Sequence, residues 1–306
     1  MTEDKGAQTP VEDPRNEDLW IWLNGRLVKR VDAVVSIFDA GFGLGDGVWE
    51  GIRLAKGKLV FVEEHLKRLY EGARTIAIDI GLTPSEMRAA LEEVCAANGI
   101  EDGGHLRLMV TRGEKRTVHQ DPRNALGKAT IAITAEFKKP DPEIKKQGIK
   151  LFTSTFRSSG PDSFDLRLNS HSRLNFIQPL LQAIAAGAHE ALMLDPAGFV
   201  ASCNSTNFFI VRDSEVLTSS GRFCFKGITR AKVIRLCAEQ GIACRETDFT
   251  LAEVYNAEEA FVTGTFGGVT PVRSVDGRSL GESLPGTLTS RLSAIYDQAF
   301  FGEAPK

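Results

Sequence analysis

Apolar and polar positions along the first half of the chain follow the spacing of short strands and of two helices. Strand-like runs recur from Trp20 onward, and two longer stretches have apolar residues three and four positions apart. The pattern predicts strands at 20–28, 34–38, 46–54, 59–62, 104–111 and 129–135, with helices near 63–77 and 84–98. Separate strands and helices of this kind are typical of an α+β domain.

The second half has a similar mixture and begins after a segment that reads as a linker. Lys138 to Pro142 contains two prolines among charged residues, which cannot continue a strand or a helix. Beyond it we predict strands at 149–155, 190–194, 199–202, 207–211 and 215–217, helices at 173–187 and 229–240, further strands and a terminal helix. The resulting division is a disordered tail at 1–18, an α+β domain at 19–137, a linker at 138–148 and a larger domain at 149–306.

Composition narrows the class of protein only modestly. The chain has 306 residues, of which 42% are hydrophobic, and this is enough for the cores of two domains. A net charge of −3 gives no electrostatic reason to expect nucleic acid or a membrane surface as a partner. No apolar run could span a bilayer and the first residues do not form a signal peptide, so we expect a cytoplasmic protein. The five scattered cysteines include no CxxC pair and predict neither disulfides nor a metal site.

Two segments in the second half suggest a phosphate site. Phe225 to Arg230 places Gly, Ile and Thr before a run with helical spacing, so Thr229 could cap a helix whose first amides remain open. Phe261 to Val272 reads as a strand that enters a turn of small residues, where backbone N–H groups can approach a ligand closely. Together they predict one seat built from the amides of Ile228, Thr229, Thr265 and Phe266.

Glycines also recur from Gly41 to Gly47. Their spacing fits neither a dinucleotide fingerprint nor a P-loop. A tight turn that leads into the strand at 46–54 is the better interpretation.

The order of these and other short segments resembles the fold-type IV pyridoxal-phosphate enzymes. The segments that carry the resemblance are Leu23 to Arg26, Gly45 to Arg53, Glu64 to Leu69, Leu106 to Gly113, Glu190 to Leu192, Asn207 to Phe209, Gly227 to Arg230 and Thr263 to Val272. The family includes branched-chain and D-amino-acid aminotransferases, (R)-amine transaminases and aminodeoxychorismate lyases. The resemblance implies a two-domain fold, pyridoxal or pyridoxamine 5'-phosphate as cofactor, an amino acid or amine and a keto acid as substrates, and a homodimer.

The resemblance also implies roles for particular residues. Arg68 matches an arginine that contacts the cofactor phosphate. Arg53 and Arg107 are candidate partners of a substrate carboxylate, because a planar guanidinium can hold a carboxylate with two hydrogen bonds. The residues expected to line the substrate pocket are Phe42, Leu44 and Trp49.

Two positions depart from the family pattern. The lysine that forms the Schiff base with the cofactor is expected about twenty residues before Glu190, and that position holds Asn169. An amide cannot form an imine, because its nitrogen lone pair is delocalised. The glutamate that keeps the pyridine nitrogen protonated is replaced by Ser202. The predicted phosphate seat is therefore retained while both groups that control the cofactor's electronics are missing.

Three hypotheses remain open from the sequence. In the first, the protein is an aminotransferase in which His171, two residues from Asn169 and hence on the same strand face, moves the proton. In the second, it is a lysine-free homologue that binds a vitamer or another phosphate ester without turnover. In the third, the scaffold supports another reaction, such as a lyase or a cofactor-independent step that uses His171, Ser172 and Cys203.

Overall fold

The computed structural model describes residues 6–8 and 10–302. The chain forms two compact units. The N-terminal unit contains Val11–Lys139 and a short return segment, Leu168–Arg173. The C-terminal unit contains Pro140–Arg167 and the chain from Leu174 onward, together with the described residues before Val11.

An antiparallel sheet of six strands forms the centre of the N-terminal unit. The elements of this unit are β1 (Trp20–Leu23), β2 (Arg26–Lys29), α1 (Ala40–Leu44), β3 (Gly47–Ala55), β4 (Lys58–Leu59), α2 (Val62–Thr75), α3 (Pro84–Ala97), β5 (Gly104–Thr111) and β6 (Thr130–Phe137). The strand order is β2-β1-β6-β5-β3-β4. An apolar core that includes Ile52, Leu66 and Leu91 joins the sheet to α2 and α3.

The beginning of this unit differs from the prediction in three places. The predicted strand 20–28 is a hairpin, because Asn24 and Gly25 adopt positive φ values of 49° and 91° and turn the chain between β1 and β2. The predicted strand 34–38 is absent, and Val34 and Ile37 are exposed there. The glycine-rich turn contains the short helix α1, which Gly45 ends at a φ of 67°.

The C-terminal unit contains a sheet of nine strands. Its elements are α4 (Pro142–Gln147), β7 (Ile149–Arg157), α5 (Leu174–Ala185), β8 (Glu190–Leu194), β9 (Val200–Cys203), β10 (Asn207–Arg212), β11 (Glu215–Thr218), α6 (Ile228–Glu239), β12 (Cys244–Glu246), α7 (Leu251–Tyr255), β13 (Glu259–Gly264), β14 (Gly268–Val275), β15 (Arg278–Ser279) and α8 (Thr287–Phe301). The order is β12-β11-β10-β13-β14-β7-β8-β9, with β15 paired to β14. The antiparallel register of β10 and β13 places Asn207 opposite Thr263.

One of the two prolines in the predicted linker begins a helix instead of preventing one. Pro142 begins α4, where a helix does not need its N–H, and the side chain of Asp141 accepts a hydrogen bond from the Glu143 amide at 3.0 Å. The segment 138–148 therefore contains a helix.

The predicted tail also differs in part. Pro14–Glu17 forms a turn of 3₁₀ helix, and the side chain of Asn16 makes two hydrogen bonds, of 2.9 and 2.8 Å, with the backbone of Phe137. Residues 1–5 and 9, which belong to the same predicted tail, lie outside the described residues.

The mixed sheets and helices confirm the predicted α+β class. Along residues 6–8 and 10–302, no helix has both the length and the apolar composition needed to cross a membrane.

Candidate active site

The start of α6 presents backbone N–H groups without a side-chain cap. Gly227 is the N-cap, with φ −64° and ψ 142°, and it has no side chain that could accept a hydrogen bond. Thr229 lies inside the first turn and is buried, so the prediction that Thr229 caps this helix is wrong by two residues. The amides of Ile228 and Thr229 stand at the positive end of the helix, where anions bind favourably.

Helix α8 of the same unit shows how such an end is otherwise satisfied. It also begins after a glycine, Gly286. The carboxylate of Glu259 accepts hydrogen bonds from the amides of Leu288 and Thr289 at 2.9 and 2.7 Å. Within the described residues, no carboxylate of this kind accepts from the first amides of α6.

The side chain of Asn207 fixes the turn that leads into α6. Its Oδ1 accepts from the Gly227 amide at 3.1 Å, and its Nδ2 donates to the Phe225 carbonyl at 2.7 Å. A Cβ on Gly227 would lie 2.3 Å from that Oδ1, so only glycine fits at this helix start. Asn207 also lies opposite Thr263, which leads to the turn between β13 and β14.

The turn between β13 and β14 is the second segment of the predicted phosphate site. Thr265, Phe266 and Gly267 connect β13 to β14, and α6 packs against β13. A Cβ on Gly267 would lie 2.8 Å from Thr270 Oγ1. The Oγ1 atom of Thr263, just before the turn, is buried without a hydrogen-bond partner. The start of α6 at Gly227, Ile228 and Thr229 and the turn at Thr265 to Gly267 are together called the phosphate seat, after the ligand that the sequence predicts for them.

Ser202 lies beside this seat in the hydrogen-bond network of Asn207. The Ser202 hydroxyl donates to the Thr206 carbonyl at 2.8 Å, and its oxygen accepts from Asn207 Nδ2 at 3.2 Å. The hydroxyl proton is therefore already donated to the Thr206 carbonyl. Serine also has no carboxylate that could keep a ring nitrogen protonated.

A buried carboxyl that the sequence analysis did not single out lies behind Ser202. Glu190 Oε2 accepts from Thr206 Oγ1 at 2.6 Å, and its Oε1 has no partner. Complete burial raises the pKa of Glu190 to about 7. Burial also raises the pKa of Cys203 far above its ordinary value, which disfavours the thiolate and counts against Cys203 as a nucleophile.

Asn169 lies in the N-terminal unit, on the return segment, and is hydrogen-bonded to β3. Its Nδ2 donates to the Trp49 carbonyl at 2.5 Å, and the Trp49 amide donates to the Asn169 carbonyl at 3.0 Å. The Trp49 indole Nε1 donates to the Ser170 carbonyl at 3.1 Å. Asn169 is buried, and its Oδ1 has no partner. The residue at the predicted lysine position therefore holds Trp49 in place.

The return segment that carries Asn169 and His171 is not a continuous strand and forms only an isolated bridge between Ser170 and Val48. The His171 amide donates to the Gly47 carbonyl at 2.9 Å. Its imidazole lines a cavity of about 500 Å³ that also involves Phe42 and Met109 but not Asn169. Burial lowers the pKa of His171, which keeps the ring neutral and able to accept a proton. Ser172 Oγ donates to the Gly45 carbonyl at 3.1 Å.

Arg68 makes a two-pronged ion pair with a residue that the sequence analysis missed. Its Nε and Nη2 atoms donate to the two carboxylate oxygens of Glu50, each at 2.7 Å, and His65 Nδ1 lies 2.7 Å from Glu50 Oε2. Burial raises the pKa of Glu50, but the charge and hydrogen bonds of Arg68 and His65 outweigh it and lower the pKa overall. Glu50 could have been identified from the sequence as a charged residue between the apolar residues Val48 and Ile52, both buried on β3. Glu64, on the same helix, is exposed.

The two candidate carboxylate partners lie on neighbouring strands of one sheet. Arg107 pairs with Gly51 across β5 and β3, and Arg53 pairs with His105. The guanidinium carbon of Arg107 lies 3.8 Å from the centre of the Trp49 ring, so these two predicted site residues are brought together. Of the other predicted pocket residues, Phe42 is 73% exposed and Leu44 is 40% exposed.

Comparison with known proteins gives consistent matches. The amino-transferase class IV family profile matches residues 47–275. Branched-chain-amino-acid aminotransferase-like protein 2 of Arabidopsis thaliana is 37% identical over 92% of this chain, which spans only 50% of that relative's length. A putative branched-chain-amino-acid aminotransferase of Methanocaldococcus jannaschii is 39% identical over 90% of this chain and 94% of its own.

A solved structure shares the fold along nearly the whole chain. The branched-chain aminotransferase of the thermophilic archaeon Thermoproteus uzoniensis, solved with norvaline, superposes with a TM-score of 0.84 and 29% identity, covering 93% of this chain and 95% of its own. The predicted fold-type IV architecture is thus confirmed. Because the family profile covers most of the sequence and the relatives align over nine tenths of it, this chain belongs to the class IV aminotransferase family.

Proposed function

We propose that the protein binds the phosphate of pyridoxal or pyridoxamine 5'-phosphate at the phosphate seat and uses the bound vitamer to transfer an amino group. The observation that carries the proposal is the contrast between two helices that both begin after glycine. The Glu259 carboxylate accepts hydrogen bonds from the first backbone amides of α8, whereas no carboxylate of the described chain does so at the start of α6. A phosphate on the amides of Ile228, Thr229, Thr265 and Phe266 would satisfy that end.

The vitamer would be held without a covalent bond. Asn169 offers an amide in place of the expected amine, and its Nδ2 is bonded to the Trp49 carbonyl. The backbone N–H donors of the phosphate seat suit a phosphate ester, whereas the amide of residue 169 cannot form an imine with the aldehyde of pyridoxal phosphate. When bound, the vitamer supplies an electron sink for chemistry at the substrate carbon. Without covalent anchoring, its affinity should be lower than in lysine-bearing relatives.

Three side chains are proposed to act on the substrate. Arg107, held over the indole of Trp49, binds a carboxylate of the amino acid or keto acid, and Arg53 is a second candidate. His171 is the candidate for moving a proton, because its lowered pKa leaves the imidazole neutral near pH 7. The reaction proposed is amino-group transfer between an amino acid or amine and a keto acid.

We further infer that the protein works as a homodimer. Large apolar side chains are exposed along one segment of the N-terminal unit, namely Val31, Val34, Val35, Ile37, Phe38, Phe42 and Leu44. Continuous exposure of this kind is typical of a surface that a second protein covers. Light scattering at micromolar concentration should give twice the mass of the chain, and a monomer at those concentrations would contradict the inference.

Calorimetry with each vitamer tests the proposed phosphate seat. Gly227→Ala places a Cβ against Asn207 Oδ1 and should weaken binding at least about tenfold, because it disturbs the amides that face the phosphate. Gly286→Ala is the matched control, since a Cβ there would meet the Glu259 side chain at the other glycine-capped helix. Binding that responds equally to both changes, or to neither, would contradict the proposed seat.

A further inference from the structure

Strand β12 follows helix α6 directly in the chain and lies against it. After the last turn of α6, the Cys237 carbonyl accepts hydrogen bonds from the amides of Gln240 and Ile242 at 3.2 and 2.9 Å. Gly241, with a φ of 64°, lets the chain reverse there. The chain then returns as β12, the edge strand of the nine-stranded sheet, which pairs in parallel with β11 and packs against α6. Helix and strand therefore run side by side in opposite directions.

An ion pair fixes the register between these two elements. Arg230, in the first turn of α6, is buried, and its Nη2 donates to Glu246 Oε2 on β12 at 2.6 Å. Cys237 follows Arg230 by seven positions, which is two turns along the same face of the helix. Cys244 precedes Glu246 by two positions and so points to the same side of the strand. Because the elements run in opposite directions, the Arg230–Glu246 pair places Cys237 opposite Cys244.

The two thiols meet as this register requires. Both cysteines are free thiols, and their side chains are hydrogen-bonded to each other. Positions 238–243 separate them in the chain, so no CxxC pattern indicates the pair. A disulfide bond is about 2 Å long, and thiols already in contact need only a small displacement to form one. Cys237 is fully buried, whereas Cys244 is only partly buried on the edge strand, so a reagent in solution reaches the pair through Cys244.

The charges around the pair favour Cys244 as the reactive thiol. The hydrogen bond that Cys237 donates lowers the pKa of Cys244, and the charge of Arg230 adds to the shift. Burial and the carboxylates of Glu246 and Glu215 act against it without reversing it. The same hydrogen bond, together with burial, raises the pKa of Cys237. The accessible cysteine is thus also the one that more readily forms the thiolate, which is the nucleophile in thiol–disulfide exchange.

We propose that Cys237 and Cys244 are a redox-modification site, which a small-molecule disulfide converts reversibly into an intramolecular disulfide between α6 and β12. The Cys244 thiolate attacks one sulfur of the oxidant, which forms a mixed disulfide and releases the first oxidant thiolate. Cys237 loses its proton and attacks the Cys244 sulfur of the mixed disulfide, and the second oxidant thiolate leaves. The two protein thiols thus lose two protons and two electrons, and the oxidant is reduced to two thiols.

Thiol titration after treatment with oxidised glutathione tests this proposal. The chain has five cysteines, so the denatured wild type should show five thiols before treatment, three after it and five again after dithiothreitol. Trypsin cleaves after Arg235 and Arg245 and releases both cysteines in one peptide, 236–245. The mass of that peptide should fall by two hydrogens on oxidation. Retention of all five thiols, or an unchanged mass of this peptide, would overturn the proposal.

Single replacements separate the roles of the two cysteines. Cys237→Ser cannot resolve the mixed disulfide and should retain one glutathione on Cys244. Cys244→Ser leaves only the buried thiol of the pair and should take up no glutathione at position 237. Cys95→Ala, which removes a buried thiol of the N-terminal unit, is the matched control and should form the disulfide as the wild type does. Glutathione that attaches to Cys237 in Cys244→Ser as readily as to Cys244 in Cys237→Ser would overturn the assigned roles.

A redox buffer shows whether the fold, and not nearness in sequence, brings the thiols together. In mixtures of reduced and oxidised glutathione, the equilibrium constant for disulfide formation should be at least about tenfold larger in the folded protein than in urea, because the fold holds the thiols in contact. An equal or smaller constant in the folded protein would overturn the proposal. No vitamer is present in these measurements, so their outcome is independent of the proposed function.

Discussion

The side-chain amide of Asn169 donates a 2.5 Å hydrogen bond to the backbone carbonyl of Trp49, while the Trp49 amide donates to the Asn169 carbonyl at 3.0 Å. Residue 169 occupies the position where the family pattern places its reactive lysine. Both its side chain and its backbone are thus hydrogen-bonded to β3. A lysine whose amine is bonded to a cofactor could not make the same side-chain contact. In this chain, residue 169 is bonded to the backbone of Trp49, whose indole lies 3.8 and 5.3 Å from the guanidinium carbons of Arg107 and Arg173.

Restoring the two missing groups should restore covalent attachment. In Asn169→Lys combined with Ser202→Glu, we expect pyridoxal phosphate to give a visible absorption band and a borohydride-fixed adduct on residue 169. Peptide mapping by mass spectrometry locates the adduct, and Ser202→Glu alone is the control. Absence of any adduct on residue 169 would show that the lysine position has been placed wrongly.

Removing the charge of Glu50 should destabilise the N-terminal unit. Glu50→Gln leaves Arg68 without its buried counter-charge, and breaking a buried ion pair typically costs about 3 kcal/mol or more. Urea unfolding measures this loss. Glu63→Gln, which breaks the exposed pair with Arg88, is the control and should cost less than about 1 kcal/mol. Equal effects of the two changes would contradict a buried role for the Glu50 pair.

The order of short motifs predicted the family because those motifs are local, and the phosphate seat stays a prediction from two equally local segments. The turn at Thr265 and the helix that follows Gly227 depend on glycines and small residues within a few positions. The prediction of the capping residue was wrong, because the sequence allows both Gly227 and Thr229 at a helix start. Only the structure shows that the Asn207 side chain leaves no room for a Cβ at position 227.

Replacement of His171 tests its proposed role in proton transfer. Loss of a general base usually costs about a hundredfold in rate, so His171→Ala should lose most turnover while vitamer affinity is retained. Activity is measured with L- and D-amino acids and (R)-amines against several keto acids, and Ser172→Ala is the control. Unchanged activity would remove His171 from the mechanism, and an inactive wild type across the panel would favour a binding role without turnover.

Stability should depend on pH through Glu190. Its pKa is raised by burial from an ordinary value of 4.5 to about 7, so the folded protein favours the neutral acid. The contribution of the neutral Glu190 carboxyl to the free energy of unfolding is fully present below pH 4.5 and is lost as the pH rises through about 7. Glu190→Gln should remove this loss and exceed the wild type at pH 8 by up to roughly 3 kcal/mol. Urea unfolding between about pH 5 and 8 that gives parallel profiles for both proteins would contradict the prediction.

Contacts between distant segments could not be predicted from the sequence. The return segment at 168–173 packs with the N-terminal unit although the linear order assigns it to the second domain. For the same reason the continuous strand assumed for Asn169 and His171 is absent, and the segment forms only an isolated bridge to β3. Arg173 reaches Trp49 only through this packing, and no periodicity in the sequence indicates it.

Borohydride treatment of the vitamer-saturated wild-type protein tests the central claim most directly. Calorimetry first establishes binding of pyridoxal phosphate, and intact mass is then measured after reduction and removal of unbound vitamer. The account predicts measurable binding, weakened by Gly227→Ala and not by Gly286→Ala, with the protein's mass unchanged after reduction. Failure of both vitamers to bind at millimolar concentration, or a stoichiometric adduct on the wild-type chain, would contradict it.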